Sequence, residues 1–328
     1  MKALTMLTVV FGAAALMQQP TFRSTTELVR IEVSVTNDLG PVEGLEARDF
    51  VLTDSGARQQ PTVEELKDTP LDLVAVVQPL ESLRMTSKHQ APRIAAGFAA
   101  FLDNINERDR LALLLSDAPT VRLRALSYGR PRLDMSAIEG SPYAATLDAI
   151  TAGLEEFLPT DRRRVLAAFT NAADFRSTVT LDGLGQQARR LGPAFVLFGS
   201  PTEVRQSVSV NAVRGAIELA RTTAVVSGFV FPKELQLLAR RTGGIAIDLG
   251  KGDPAQLMTS AFAWMRTRYL LSYVPPPGKG WHALTVRVNR KGATVTTRDG
   301  YVVDGLARLH CLLAPNPRRR VTYRAGDV

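Results

Sequence analysis

The chain has 328 residues, with 40 Lys or Arg against 32 Asp or Glu and a formal charge of +8. One cysteine, Cys311, and three isolated histidines exclude an internal disulfide, a cysteine zinc cluster and a His-x-x-x-His metal spacing. The basic residues form short scattered clusters, Arg162–Arg164, Arg189-Arg190, Arg240-Arg241 and Arg318–Arg320, with no basic helical stripe and no interleaved aromatics, so no nucleic-acid partner is expected.

Residues 1–19 have the form of a secretory signal. Lys2 gives a positive start, Ala3–Met17 an apolar run too short to span a bilayer, and Ala13-Ala14-Ala15 small residues for cleavage. The expected location is periplasmic or extracellular. No later stretch is long and apolar enough to cross a membrane.

Residues 20–68 read as β-structure. Ile31, Val33 and Val35 alternate with polar neighbours, a turn follows at Asn37–Pro41, and Phe50 and Leu52 mark a second strand that stops at Asp54-Ser55-Gly56.

Residues 69–274 alternate buried strands with helices. The apolar run Leu73–Val77 is β-branched and short, as in a strand buried on both faces of a parallel sheet. It ends at Gln78-Pro79, because proline cannot donate to a ladder, and Pro79–Thr86 is expected as a loop at the carboxyl end of the strand. Leu111–Leu115, Val165–Phe169, Ala194–Phe198 and Ile245–Leu249 are further buried strands, and Val121–Leu126 an edge strand. Ile94, Phe98, Phe101 and Leu102 share one helical face; Leu147, Ile150, Leu154 and Phe157 share another. Leu235, Leu238 and Ala239 mark a short helix stopped at Gly243-Gly244, and Leu257, Ala261 and Trp264 a last one. Ser200–Phe231 fits either a helix or a strand. Alternation returns in 275–304 with Leu284, Val286 and Val288, and 305–328 is a basic, loose tail.

Three stretches together resemble the bacterial VWFA-related family, the relatives of von Willebrand factor type A domains found in acidobacteria. They are Val33–Asn37 with Asp38, Gly40–Leu45 and Asp49-Phe50; then Phe101-Leu102, Asp109-Arg110 and Leu111–Leu113; then Leu238–Gly244, Tyr269–Pro276, Trp281-His282 and Gly300-Tyr301. The resemblance covers roughly 20–302 and departs from the family in a shorter turn at Gly40-Pro41, in Ser200–Phe231 and after Asp304. It implies an α/β fold: a doubly wound, mostly parallel sheet, flanked by a small β-sandwich built from both chain ends.

The resemblance also implies a divalent-ion site, with an Asp-x-Ser-x-Ser loop after the first strand, a Thr from a later loop and an Asp after the fourth strand. A hard cation needs oxygen ligands with some charge neutralised. Here the matching positions are Gln78, Leu80, Ser82, Ala144 and Asn171, so the site is degenerate and no metal or cofactor is expected. Substitutes in the same loops are Glu81, Thr146 and Asp174. The candidate interaction rim is Glu81, Ser82, Arg84, Asp174 and Arg176, where arginine would grip a partner carboxylate directly. No phosphate loop, Gly-x-Ser-x-Gly or His-Glu-x-x-His is present, and Gly183-x-Gly185 lacks the rest of a dinucleotide fingerprint. The expected function is a non-catalytic exported protein that binds a protein or an envelope component. A metal-dependent adhesion module with a rebuilt site is the alternative, and an unrecognised hydrolase the remote one.

Overall fold

The computed structural model describes residues 28–86, 88–157, 162–191, 194–199, 232–303 and 322–323. Residues 1–27, on which the expected signal falls, residues 200–231, Cys311 and the tail apart from residues 322–323 lie outside the described residues.

The chain opens with five strands, β1 (Val29–Asn37), β2 (Gly40–Pro41), β3 (Phe50–Asp54), β4 (Ala57–Gln59) and β5 (Thr62–Glu65). Next come β6 (Leu71–Val77), α1 (Leu80–Thr86), α2 (Gln90–Asp103), β7 (Arg110–Leu115), β8 (Val121–Tyr128), α3 (Thr146–Glu155) and β9 (Arg163–Phe169). α4 (Leu181–Leu191), β10 (Ala194–Gly199), α5 (Pro232–Arg241), β11 (Ala246–Asp248) and α6 (Pro254–Arg266) follow. Last are β12 (Tyr269–Tyr273), β13 (Gly280–Val288), β14 (Thr294–Thr297), β15 (Gly300–Val303) and β16 (Thr322–Tyr323).

The central sheet runs β11-β10-β9-β6-β7-β8-β16. Its strands are parallel except at β7 against β8. The direction of winding reverses between β6 and β9, which makes that crevice the topological switch point of a doubly wound sheet. All seven residues of β6 are buried, its apolar run Leu73–Val77 between helices on both faces and Asp72 paired with Arg110 and Arg162. Alternate residues feed two cores. Leu71, Leu73, Ala75 and Val77 pack with α1, α2 and α6; Val74 and Val76 pack with α3, α4 and α5. On the first face Phe169 stacks on Phe198 at 4.7 Å and meets Phe98 edge-on at 5.2 Å.

Two antiparallel sheets use both chain ends. One runs β14-β1-β12-β5 with β2 beside β1; the other runs β15-β13-β3-β4. Val35 opposes Val295, and Leu52 opposes Val286, so each sheet contains strands from both ends. Ile31, Val33, Phe50, Leu52, Tyr269, Leu271, Leu284 and Val286 form one apolar cluster between them.

Two elements differ from the sequence reading. Leu80–Thr86 is helix α1 and not a loop, because Pro79 fits just ahead of a first turn and its carbonyl accepts from Leu83 at 3.0 Å. Tyr269–Tyr273 belongs to the antiparallel sheet as β12, paired with β1 and β5, so the doubly wound unit ends with α6 and not at residue 274.

The two units meet over buried charge. Arg163 is 4% exposed at the start of β9. Its Nη2 donates to Glu32 Oε2 at 3.1 Å and to the Met265 carbonyl, and its Nη1 to the Arg266 carbonyl at 3.2 Å. Arg268 donates to the Gly243 carbonyl at 2.9 Å, lies over the Trp264 ring at 4.8 Å, and sets its Nε 3.5 Å from Glu32 Oε2. Burial pushes the Glu32 carboxyl up, but the two guanidinium groups outweigh it and hold it below the usual glutamate value.

Candidate functional site

Gln78 leaves the carboxyl end of β6 at the switch point, where its backbone N–H donates to the Phe169 carbonyl at 3.0 Å. Its side chain is fully buried. Oε1 accepts from Thr170 Oγ1 at 2.6 Å and from the Asn171 N–H at 3.2 Å. Nε2 donates to Ser82 Oγ, on α1, at 2.9 Å. The amide orientation follows from chemistry: the Asn171 N–H can only donate, so it must face the amide oxygen. One neutral side chain therefore ties the end of β6 to the end of β9 and to α1.

The loop after β9 is held by its own side chains. Thr170 Oγ1 accepts from the Ala172 N–H at 2.9 Å, and Asn171 Oδ1 from the Ala173 N–H at 3.2 Å. Ala172 sits at φ +65°, a left-handed conformation that non-glycine residues avoid and that these hydrogen bonds maintain. Gly199 is needed beside it, since a Cβ there would lie 2.0 Å from the Thr170 carbonyl oxygen.

Three segments, at Pro79–Thr86, 140–145 and 171–177, come together at this edge. The Phe175 N–H donates to the Ala144 carbonyl at 2.8 Å, and Tyr143 meets the Phe175 ring at 5.8 Å. A Cβ on Gly140 would lie 2.8 Å from Pro79. Gln78, Leu80, Ser82, Ala144 and Asn171, the positions that the resemblance matches to an ion site, are all buried. Of the candidate rim, Glu81, Arg84 and Arg176 are exposed, and Arg176 lies over the Tyr143 ring at 5.3 Å. Ser82 and Asp174 do not reach the surface, at 0% and 1% exposure.

Asp174 and Thr146 serve the start of α3. The Asp174 carboxylate accepts from the Leu147 N–H at 2.8 Å and the Ser177 N–H at 3.0 Å; Thr146 Oγ1 donates to the Ala173 carbonyl at 2.7 Å. Burial holds the Asp174 carboxyl above the usual aspartate value, against the lowering effect of the hydrogen bonds it accepts.

These residues do not fit a divalent ion. Leu80 has no oxygen, and both Asp174 oxygens are taken by backbone N–H groups. The Gln78 oxygen already accepts two hydrogen bonds, and the amide nitrogen, not an ion, faces Ser82. The arrangement is a closed set of neutral hydrogen bonds at the place where this fold presents ligands. Sequence reasoning named Gln78, Ser82 and Asn171 but missed Thr170; the available signal was a hydroxyl residue directly after an apolar strand, opposite a glutamine.

A second polar cluster lies between the antiparallel sheets. Buried Asp54 accepts from Tyr301 at 2.6 Å, from Tyr273 at 2.7 Å and from Ser55 Oγ at 3.1 Å, and His282 Nδ1 lies 2.9 Å away. The Ser55 hydroxyl faces the carboxylate, and the Tyr301 hydroxyl lies 3.4 Å from His282 Nδ1.

No protein-family model matches the sequence, and no curated protein matches it. Several solved structures are similar in backbone. An aerotolerance-related membrane protein from Bacteroides fragilis is 12% identical with a TM-score of 0.43, covering 60% of this chain and 98% of that one. BatB from Bacteroides thetaiotaomicron is 12% identical at 0.41, covering 58% and 95%. A von Willebrand factor type A protein from Catenulispora acidiphila is 11% identical at 0.39, covering 87% and 76%. The doubly wound α/β assignment rests on the strand order itself. Among the described residues, no helix is long and apolar enough to cross a membrane.

Proposed function

We propose that this chain is an exported, non-catalytic interaction module of the von Willebrand factor type A class, which binds a protein or cell-envelope component without a metal. Its two antiparallel sheets are taken as one β-sandwich that carries the type A unit as an insertion. The observation behind this proposal is the Gln78 side chain, which joins Ser82 to Thr170 at the position where the class would hold an ion. With that centre closed and neutral, recognition at this edge falls to the exposed Arg84, Arg176 and Glu81 around it. Arginine can grip a carboxylate in a two-pronged geometry without an intervening ion.

The metal-dependent alternative would need Glu81, Thr146 and Asp174 as ligands. Glu81 is exposed on α1, while Thr146 and Asp174 are spent on the start of α3. A hydrolase would need an activated nucleophile, and both tyrosine hydroxyls at the Asp54–His282 pair donate to the Asp54 carboxylate, which holds their protons in place.

The test is capture of partners from the native envelope fraction, followed by affinity measurement with the isolated partner. Chelator should leave affinity unchanged, and Arg84→Ala with Arg176→Ala should weaken it by about 1–3 kcal/mol. Affinity abolished by chelator and restored by magnesium would overturn the metal-free function. Unchanged affinity in a folded double variant would remove this edge as the binding face.

A further inference from the structure

Two arginine pairs that look unrelated in sequence meet at the edge of the central sheet opposite Gln78. Arg189-Arg190 closes α4 and Arg240-Arg241 closes α5. Both helices return antiparallel to the strands they join, so their carboxyl ends lie at the amino edge of the sheet. Asp299 sits between them: its Oδ2 is 3.3 Å from Arg189 Nη2 and 3.9 Å from Arg241 Nε, and its N–H donates to the Arg241 carbonyl at 3.0 Å. Arg298 donates to the Arg189 carbonyl at 3.0 Å. Burial, and then the charge of nearby Arg164, hold the Arg298 guanidinium below the usual arginine value.

A helix carboxyl end attracts arginine through its dipole, and that alone could explain one member of each pair. It also covers Arg298, which donates to a carbonyl in the last turn of α4, but it explains neither Arg164, which lies on β9, nor the way Arg189 is held. The Trp281 ring lies against Gly300, where a Cβ would come within 2.3 Å of a ring atom. On Trp281 the Arg189 guanidinium stacks at 4.8 Å. A stacked guanidinium keeps its plane fixed and its N–H edge available.

We propose that the face formed by Arg164, Arg189, Arg190, Arg240, Arg241 and Arg298 docks a carboxylate-rich segment of a partner protein, separately from the Gln78 edge. The chain itself shows the chemistry, since Asp299 already seats one carboxylate between Arg189 and Arg241. A nucleic acid would look for an open aromatic face on which to stack a base. Trp281 already carries the Arg189 guanidinium on its ring and has Gly300 against its six-membered part.

The experiment is fluorescence anisotropy of a labelled polyglutamate peptide with the full chain. Arg190 and Arg240 are exposed and form no ion pair among the described residues, so Arg190→Glu with Arg240→Glu perturbs the face and spares its inner contacts. The peptide should bind the native chain, lose affinity as salt rises, and bind this variant at least about tenfold more weakly. If the charge reversal does not fold, Arg190→Gln with Arg240→Gln should still weaken binding measurably. Absence of peptide binding, equal binding by the folded arginine variants, or binding of single-stranded DNA or phosphatidylglycerol vesicles in preference to the peptide would overturn the proposal.

Discussion

Thr170 Oγ1 donates to Gln78 Oε1 at 2.6 Å, across the switch point between β6 and β9. Because both groups are buried, removing one leaves the other without its partner in a site closed to water. Gln78→Ala should therefore destabilise the chain by about 1–3 kcal/mol in urea unfolding. A loss within error of zero would mean that the loops hold together without this side chain.

The buried charge at the junction gives a pH dependence with a definite sign. The Glu32 carboxyl is held below its ordinary value of 4.5 in the folded chain. A depressed carboxyl contributes stability that is fully present above the unfolded value and is lost as pH falls through the folded one. Glu32→Gln should lower stability at neutral pH by roughly 3 kcal/mol, because it leaves Arg163 and Arg268 buried without their carboxylate. The same variant should lose less further stability than the native chain between about pH 5 and about pH 2. Parallel stability curves across that range would show that Glu32 is not the group that titrates.

The strands and the outline of the site were readable because they depend on local pattern. The apolar run Leu73–Val77 is short and β-branched, as a doubly buried strand needs, while Leu80 has no oxygen and Gln78 and Asn171 carry no charge. What fills the site was not readable, since the Gln78–Thr170 contact joins residues on two strands that only the fold places side by side. The same limit applies to the arginines: Arg189, Arg241 and Arg298 come from three elements and meet only at Asp299 and its neighbours. Helix α1 was hidden by Pro79, which signals both the end of a strand and the start of a helix. Tyr269–Tyr273 follows α6 in the chain, and nothing local says which sheet it joins.

The Asp54 cluster should be visible in the titration of tyrosine. Burial, then the hydrogen bond to Asp54, push the Tyr301 hydroxyl up to about 12, and the same causes raise Tyr273 further above the usual range. Absorbance titration should leave these two tyrosines protonated above the pH at which an ordinary tyrosine ionises, and burial raises Tyr269 as well. Asp54→Asn should lower the Tyr301 value and destabilise the fold by about 1–3 kcal/mol. All tyrosines titrating together near the ordinary value, in a chain still folded, would contradict the cluster.

Gly243 follows α5 at φ +76°, and a Cβ there would lie 2.8 Å from the Arg298 nitrogen. The residue thus caps the helix and lets β14 approach. Gly243→Ala should cost more than about 1 kcal/mol in thermal or urea unfolding, because φ and contact both oppose a side chain. An unchanged or raised stability would show that neither constraint binds.

The most direct test of the closed, metal-free edge is calorimetric titration of the purified chain with magnesium, calcium and manganese. With Leu80 in place of an oxygen ligand and the Gln78 amide bonded to Ser82 and Thr170, none of the three ions should give a saturable heat, and none should raise the unfolding temperature. A one-to-one binding isotherm for any of them, lost in Asp174→Ala or Ser82→Ala, would contradict it.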